Sequence, residues 1–135
     1  MMANATVQWV GGKRFIGMDS TNHSVVLSTP DEGIGMKPSE LLLVALASCS
    51  AVDVVEILKK KRLELTKLII QTQAEQDADS PWTFRKFHLK YTLAGRDLTT
   101  KDVEKAIQLS QDKYCSVAST VRGTAEITYE YEIER

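Results

Sequence analysis

Pro38-Ser39-Glu40-Leu41-Leu42-Leu43-Val44-Ala45-Leu46-Ala47-Ser48-Cys49-Ser50 opens the longest helical segment of the chain. Proline is tolerated in a first helical turn, where its missing N–H would have had no partner. Glu40 falls in the same turn, where a carboxylate favours the helix dipole, and Lys59-Lys60-Lys61-Arg62 occupy the other end, where cations do. These signals predict a helix from Pro38 to about Lys61. Residues 41–47 within it are all apolar. A surface helix would show a polar stripe over that length, so this stretch must be wrapped on nearly every side. One sheet of a small domain cannot enclose it that far. A second subunit can, and the expectation is a homodimer packed around this helix.

Upstream of the helix, residues 5–9 alternate, with Ala5, Val7 and Trp9 on one side. Gly11-Gly12 then marks a hairpin into a strand around Phe15 to Met18. A turn at Asp19-Ser20-Thr21-Asn22 leads to a third strand with His23, Val25 and Leu27 on one face. Downstream, Leu65 to Ala74 and Phe84 to Leu93 read as strands, the second with Phe87, Leu89, Tyr91 and Leu93 alternating with polar residues. Thr99, followed three residues later by Asp102, is a capping box opening a helix through about Lys113. Its inner face is Val103, Ala106, Ile107 and Ser110. Ala125, Ile127, Tyr129, Tyr131 and Ile133 alternate with acids and a threonine in a closing strand. The pattern is α+β: an antiparallel meander, a long helix, two strands, a second helix and a last strand, in an order along the sheet that the sequence leaves open.

At 135 residues, the chain is expected to form one domain, 1–135. A formal charge of −1 removes strong electrostatic attraction to nucleic acid or acidic membranes as its main business. The N-terminus lacks the basic and apolar blocks of a signal peptide, and no uninterrupted apolar run reaches the roughly 20 residues of a membrane span. The expectation is a cytoplasmic protein with no membrane or nucleic-acid partner, whose thiols are reduced at rest. His23 and His88 make no helix-spaced metal pair, and the glycines match no phosphate or dinucleotide fingerprint. Neither a metal nor a cofactor is expected.

The chemistry therefore falls to the chain's only two cysteines, Cys49 and Cys115. Cys49 lies about three turns into the long helix, on a face with Leu42, Leu46, Val52, Asp53 and Glu56. That is too far from the helix N-terminus for the dipole to stabilise a thiolate. Asp53 opposes one if it points the same way, so a reactive Cys49 needs a cation from elsewhere in the fold. Cys115 precedes Ser116-Val117-Ala118-Ser119-Thr120. If a short helix starts there, unpaired N–H groups favour its thiolate. The residues alone also admit the plainer reading, two small hydrophobes in the core.

The run from Pro38 to Cys49, paired with the distant Tyr114-Cys115-Ser116-Val117, resembles the OsmC/Ohr family of osmotically inducible and organic hydroperoxide resistance proteins. The order of elements is similar over essentially the whole chain, and most similar to the OsmC-like branch. The resemblance implies an intertwined homodimer with sites at the interface. It also implies that Cys49 attacks an organic hydroperoxide, that Cys115 resolves the product as a disulfide, and that a dithiol reductant restores both. Hydroperoxide reductases of the family carry a glutamate where this chain has Ser39. The acid here is Glu40, about 100 degrees further round the helix, a place that also suits a helix-start residue. Arg14, just beyond the glycine turn, is the expected activating arginine, with Lys13 and Arg122 as rivals.

Two functions follow. One is a thiol-dependent peroxidase for organic hydroperoxides. The other is a non-catalytic member of the fold that binds a small apolar ligand, or senses redox state, at the dimer interface.

Overall fold

The computed structural model describes residues 1–135. Its elements run β1 Ala5–Trp9, β2 Arg14–Asp19, β3 Ser24–Ser28, α1 Pro38–Lys60, β4 Glu64–Gln76, β5 Phe84–Arg96, α2 Thr100–Leu109, a π-helical turn Ser110–Tyr114, α3 Ser116–Val121 and β6 Glu126–Glu134. The fold is α+β, as the sequence pattern implies. It divides into two compact units, Met1–Leu42 and Leu43–Arg135.

The first unit is the expected meander, an antiparallel sheet in the order β1-β2-β3. Trp9 pairs with Phe15 across the glycine turn. Gly11 and Gly12 both take positive φ, 104° and 54°. A Cβ on Gly12 would also collide with the Glu32 carboxylate, which accepts the Lys13 N–H at 3.1 Å. Val7 and Trp9 share a face as expected, and that face is uncovered. His23 lies in the turn before β3 rather than in the strand, because Asp19 Oδ1 captures its backbone N–H at 3.1 Å.

The second unit carries the sheet β4-β5-β6. β4 and β5 are antiparallel, while β6 runs parallel to β5. A parallel neighbour requires a crossover of a dozen or more residues. The segment α2–π-turn–α3 is that crossover. Thr99 caps α2 as expected, accepting the Asp102 N–H at 3.1 Å. Val103, Ala106 and Ile107 are buried beneath it. Phe87, Leu89, Tyr91 and Leu93 of β5 join Leu46, Val54 and Leu58 of α1 in one apolar cluster. Each such side chain contributes about 1.5–3 kcal/mol on burial.

α1 is 23 residues long, with a window of mean hydropathy 2.2, so it is long and apolar enough to cross a membrane by length and composition. The uninterrupted apolar run within it is shorter, residues 41–47, and ends at Ser48. In this fold, Leu46, Ser50, Val54 and Leu58 form the helix's buried side. The opposite side is apolar and exposed at Val44, Val52 and Val55.

Candidate functional site

Both cysteines lie in the second unit, and both are free thiols. Successive residues turn about 100 degrees around a helix. That places Cys49 between the buried side of α1 and the exposed valine stripe, and it is half-buried accordingly. Cys115 ends the π-helical turn, an irregularity often associated with functional sites. Its backbone N–H donates to the Ser110 carbonyl at 2.8 Å. Its Sγ caps α3 by accepting the Ala118 N–H at 3.3 Å. The two thiols lie near each other, close enough for Cys49 to act on the Cys115 pKa.

The electrostatics of Cys115 differ from the sequence expectation. It does cap a short helix, but it is only 3% exposed. Burial, then the neighbouring Cys49 thiol, push its pKa up from 9.0 to about 11, against the opposing Ala118 and Val117 N–H groups. Desolvation disfavours the thiolate more than two N–H groups favour it. Cys115 is therefore a protonated thiol at neutral pH.

Around the thiols runs a polar network that sequence reading missed. Ser50 Oγ lies 2.6 Å from the Tyr91 hydroxyl and 2.9 Å from Ser110 Oγ. Ser110 donates to Asp53 Oδ2 at 2.9 Å, so Asp53 faces the π-turn. Gln111 Nε2 donates to the Tyr91 hydroxyl at 2.8 Å. Ser50, Tyr91 and Ser110 are fully buried, and Gln111 nearly so. Burial pushes the Tyr91 phenol up, against its hydrogen bonds with Ser50 and Gln111. The only sequence signal was the interruption of the apolar helix by Ser50 and Asp53.

The remaining expected site residues have other partners. Arg14 lies in the first unit, where its Nε donates to the Gly11 carbonyl at 3.2 Å and pairs with Glu32 Oε2 at 3.6 Å. The carboxylate that meets Arg14 is thus Glu32, which the sequence did not single out. Glu40 sits in the first turn of α1 and pairs with Lys37 at 3.7 Å, as a helix-start residue does. Lys13 pairs with Asp31 at 2.9 Å. In the second unit, Arg122 Nη2 donates to the Gln111 carbonyl at 2.9 Å, bracing the π-turn. A groove of about 450 Å³ lies elsewhere on this unit, lined by residues such as Lys86, His88, Glu126 and Thr128, and includes neither thiol.

The family model for OsmC-like protein matches residues 29–130, a span that includes both cysteines and the whole crossover. The chain belongs to the OsmC-like family. Protein YhfA of Escherichia coli strain K12 is 34% identical over 129 residues, covering 96% of each chain. A hypothetical protein from Aquifex aeolicus VF5 is 30% identical, covers 100% of this chain and 99% of that one, and superposes with a TM-score of 0.85. The organic hydroperoxide resistance protein OhrB of Bacillus subtilis is similar in fold alone, with 17% identity, 98% coverage of both chains and a TM-score of 0.65. OsmC-like membership thus rests on both sequence and fold.

Proposed function

We propose that Cys49 and Cys115 form a reversible dithiol–disulfide pair, oxidised by organic hydroperoxides at an apolar site. The observation that carries this reading is the proximity of two free thiols, one from α1 and one at the end of the π-turn, beside an uncovered apolar stripe. The Cys49 sulfur attacks the outer peroxide oxygen, the O–O bond breaks, and the alcohol leaves with a proton. The resulting Cys49 sulfenic acid is attacked by Cys115, which forms the disulfide and releases water. A dithiol reductant returns both thiols. Arg14 is the proposed activating cation, and Arg14→Ala should slow thiol oxidation.

The valine stripe supports a homodimer. Val52 is 61% exposed, Val44 46% and Val55 43%. A second copy is the proposed cover, and it would enclose the open flank of Cys49.

A second reading has its own support. Ser39 stands where hydroperoxide reductases carry glutamate, Arg14 is paired with Glu32, and Cys115 is held as a thiol. These favour an OsmC-like protein that binds a small apolar molecule, or registers redox state, without rapid turnover. Stoichiometric cumene hydroperoxide should convert both thiols into one intramolecular disulfide under either redox role. Sustained consumption of peroxide with a dithiol reductant marks the peroxidase; a single oxidation without turnover marks the sensor. No loss of thiol refutes the disulfide chemistry.

A further inference from the structure

The polar network beside the thiols has a direction that its chemistry fixes. A carboxylate only accepts, so the single proton of Ser110 Oγ goes to Asp53 Oδ2. The 2.9 Å contact between Ser110 and Ser50 is then made by the Ser50 proton. Ser50 being committed, the Tyr91 hydroxyl supplies the proton at 2.6 Å. Tyr91 in turn must accept, and the Gln111 amide N–H at 2.8 Å donates to it. The order Gln111, Tyr91, Ser50, Ser110, Asp53 gives every hydroxyl one donor and one acceptor.

This order also fixes the Gln111 amide, whose nitrogen faces Tyr91 and whose oxygen is left over. Gln111 Oε1 is buried and receives no protein donor. Gln111 is 3% exposed and belongs to the same π-turn that presents Cys115. The Tyr91 hydroxyl it holds is itself near Cys115. A desolvated acceptor without a partner binds an incoming donor more strongly than the same group in water.

We propose that Gln111 Oε1 is the binding group for the hydroxyl end of a small apolar ligand: the O–H of an organic hydroperoxide, or of the alcohol it becomes. An amide oxygen is a neutral acceptor, and a neutral donor satisfies it without burying a new charge. Closure of the atom from solvent limits the donor to one hydroxyl. The alkyl part of the ligand would lie against the apolar flank that Cys49 borders. The proposal rests on the apolar-ligand reading of the thiol site, and deepens it by naming the polar contact.

Two probes of one shape test it on the reduced full-length protein: cumyl alcohol and its methyl ether, which differ in the O–H. The wild type should bind the alcohol at least about tenfold tighter, which is one hydrogen bond's worth of selectivity. Gln111→Met, of similar length and without the acceptor, should bind both probes equally. If that variant does not fold, the Gln111 side-chain amide resonance of the wild type decides, shifting with the alcohol and not with the ether. Equal binding of the probes by the wild type, no binding of either, or a preference kept in Gln111→Met would overturn the proposal, leaving Oε1 to water alone. A kinetic arm separates this from the peroxidase reading. Methyl methanethiosulfonate oxidises thiols without offering an O–H, so the hydroperoxide-to-thiosulfonate rate ratio should fall about tenfold in Gln111→Met. A wild type inert to hydroperoxide defeats the peroxidase reading, while the alcohol–ether comparison still decides this one.

Discussion

Replacing Tyr91 by phenylalanine removes one oxygen from the centre of the buried network and leaves the ring in place. The phenol is fully buried, so the change opens space for a single atom. It deletes the contact with Ser50 at 2.6 Å and the one with Gln111 Nε2 at 2.8 Å. Ser50 can still donate to Ser110, but the Gln111 amide is stranded. A stranded buried donor costs about 1–3 kcal/mol, and a lost hydrogen bond about 1 more, so the expected destabilisation is about 2–4 kcal/mol. With unfolding entropy of about 2.1 cal/mol/K per residue, this lowers the Tm by roughly 7–14 °C. Tyr129→Phe is the internal control. Its hydroxyl reaches Glu104 only at 3.4 Å near the surface, and its loss should stay within about 0.5 kcal/mol. Urea denaturation of both variants, at one protein concentration so that self-association cancels, gives the comparison. Tyr91→Phe combined with Ser50→Ala should cost less than the two singles summed, by at least about 0.5 kcal/mol, because they share a partner. If Tyr91→Phe is no more destabilising than Tyr129→Phe, the network is not an energetic unit and its direction has no consequence.

Iodoacetamide should alkylate Cys115 in the folded protein about a hundredfold more slowly than in urea, as a thiolate population lowered by two pKa units requires; peptide mass spectrometry reads the two rates, and equal rates refute the raised pKa. Stability should be full below about pH 9 and fall as pH rises from 9 towards 11, because Cys115 moves from 9.0 to about 11 on folding and Tyr91 is also raised. In that window the unfolded chain binds fewer protons than the folded one, so the sign is a loss. Cys115→Ala should flatten that slope in urea titrations. Val52→Asp should convert the proposed dimer to a folded monomer by light scattering, since a charge on the 61%-exposed valine would be desolvated in the interface. A wild type that is itself monomeric at micromolar concentration refutes the dimer.

Local chemistry made much of the architecture legible. Pro38 and the lysines after Ile57 bounded α1 within a residue, and Thr99 with Asp102 located the start of α2. The alternation in Phe87–Leu93 and Ala125–Ile133 picked out the inward faces of β5 and β6. These signals act within a few residues of chain, where capping, dipoles and period-two burial operate. Cys49 and Cys115 stood out as the chain's only cysteines, family resemblance paired them, and the fold places them near each other. The tertiary structure alone decided the parallel placement of β6, since a crossover fixes strand direction only once it has packed. It also decided the protonation of Cys115, because desolvation depends on what surrounds the sulfur and not on the helix it caps. Ser50 meets Tyr91 across 41 residues of chain and Gln111 meets it across 20. No periodicity spans such separations, and a lone serine in an apolar helix has no readable partner until the sheet and the π-turn close around it.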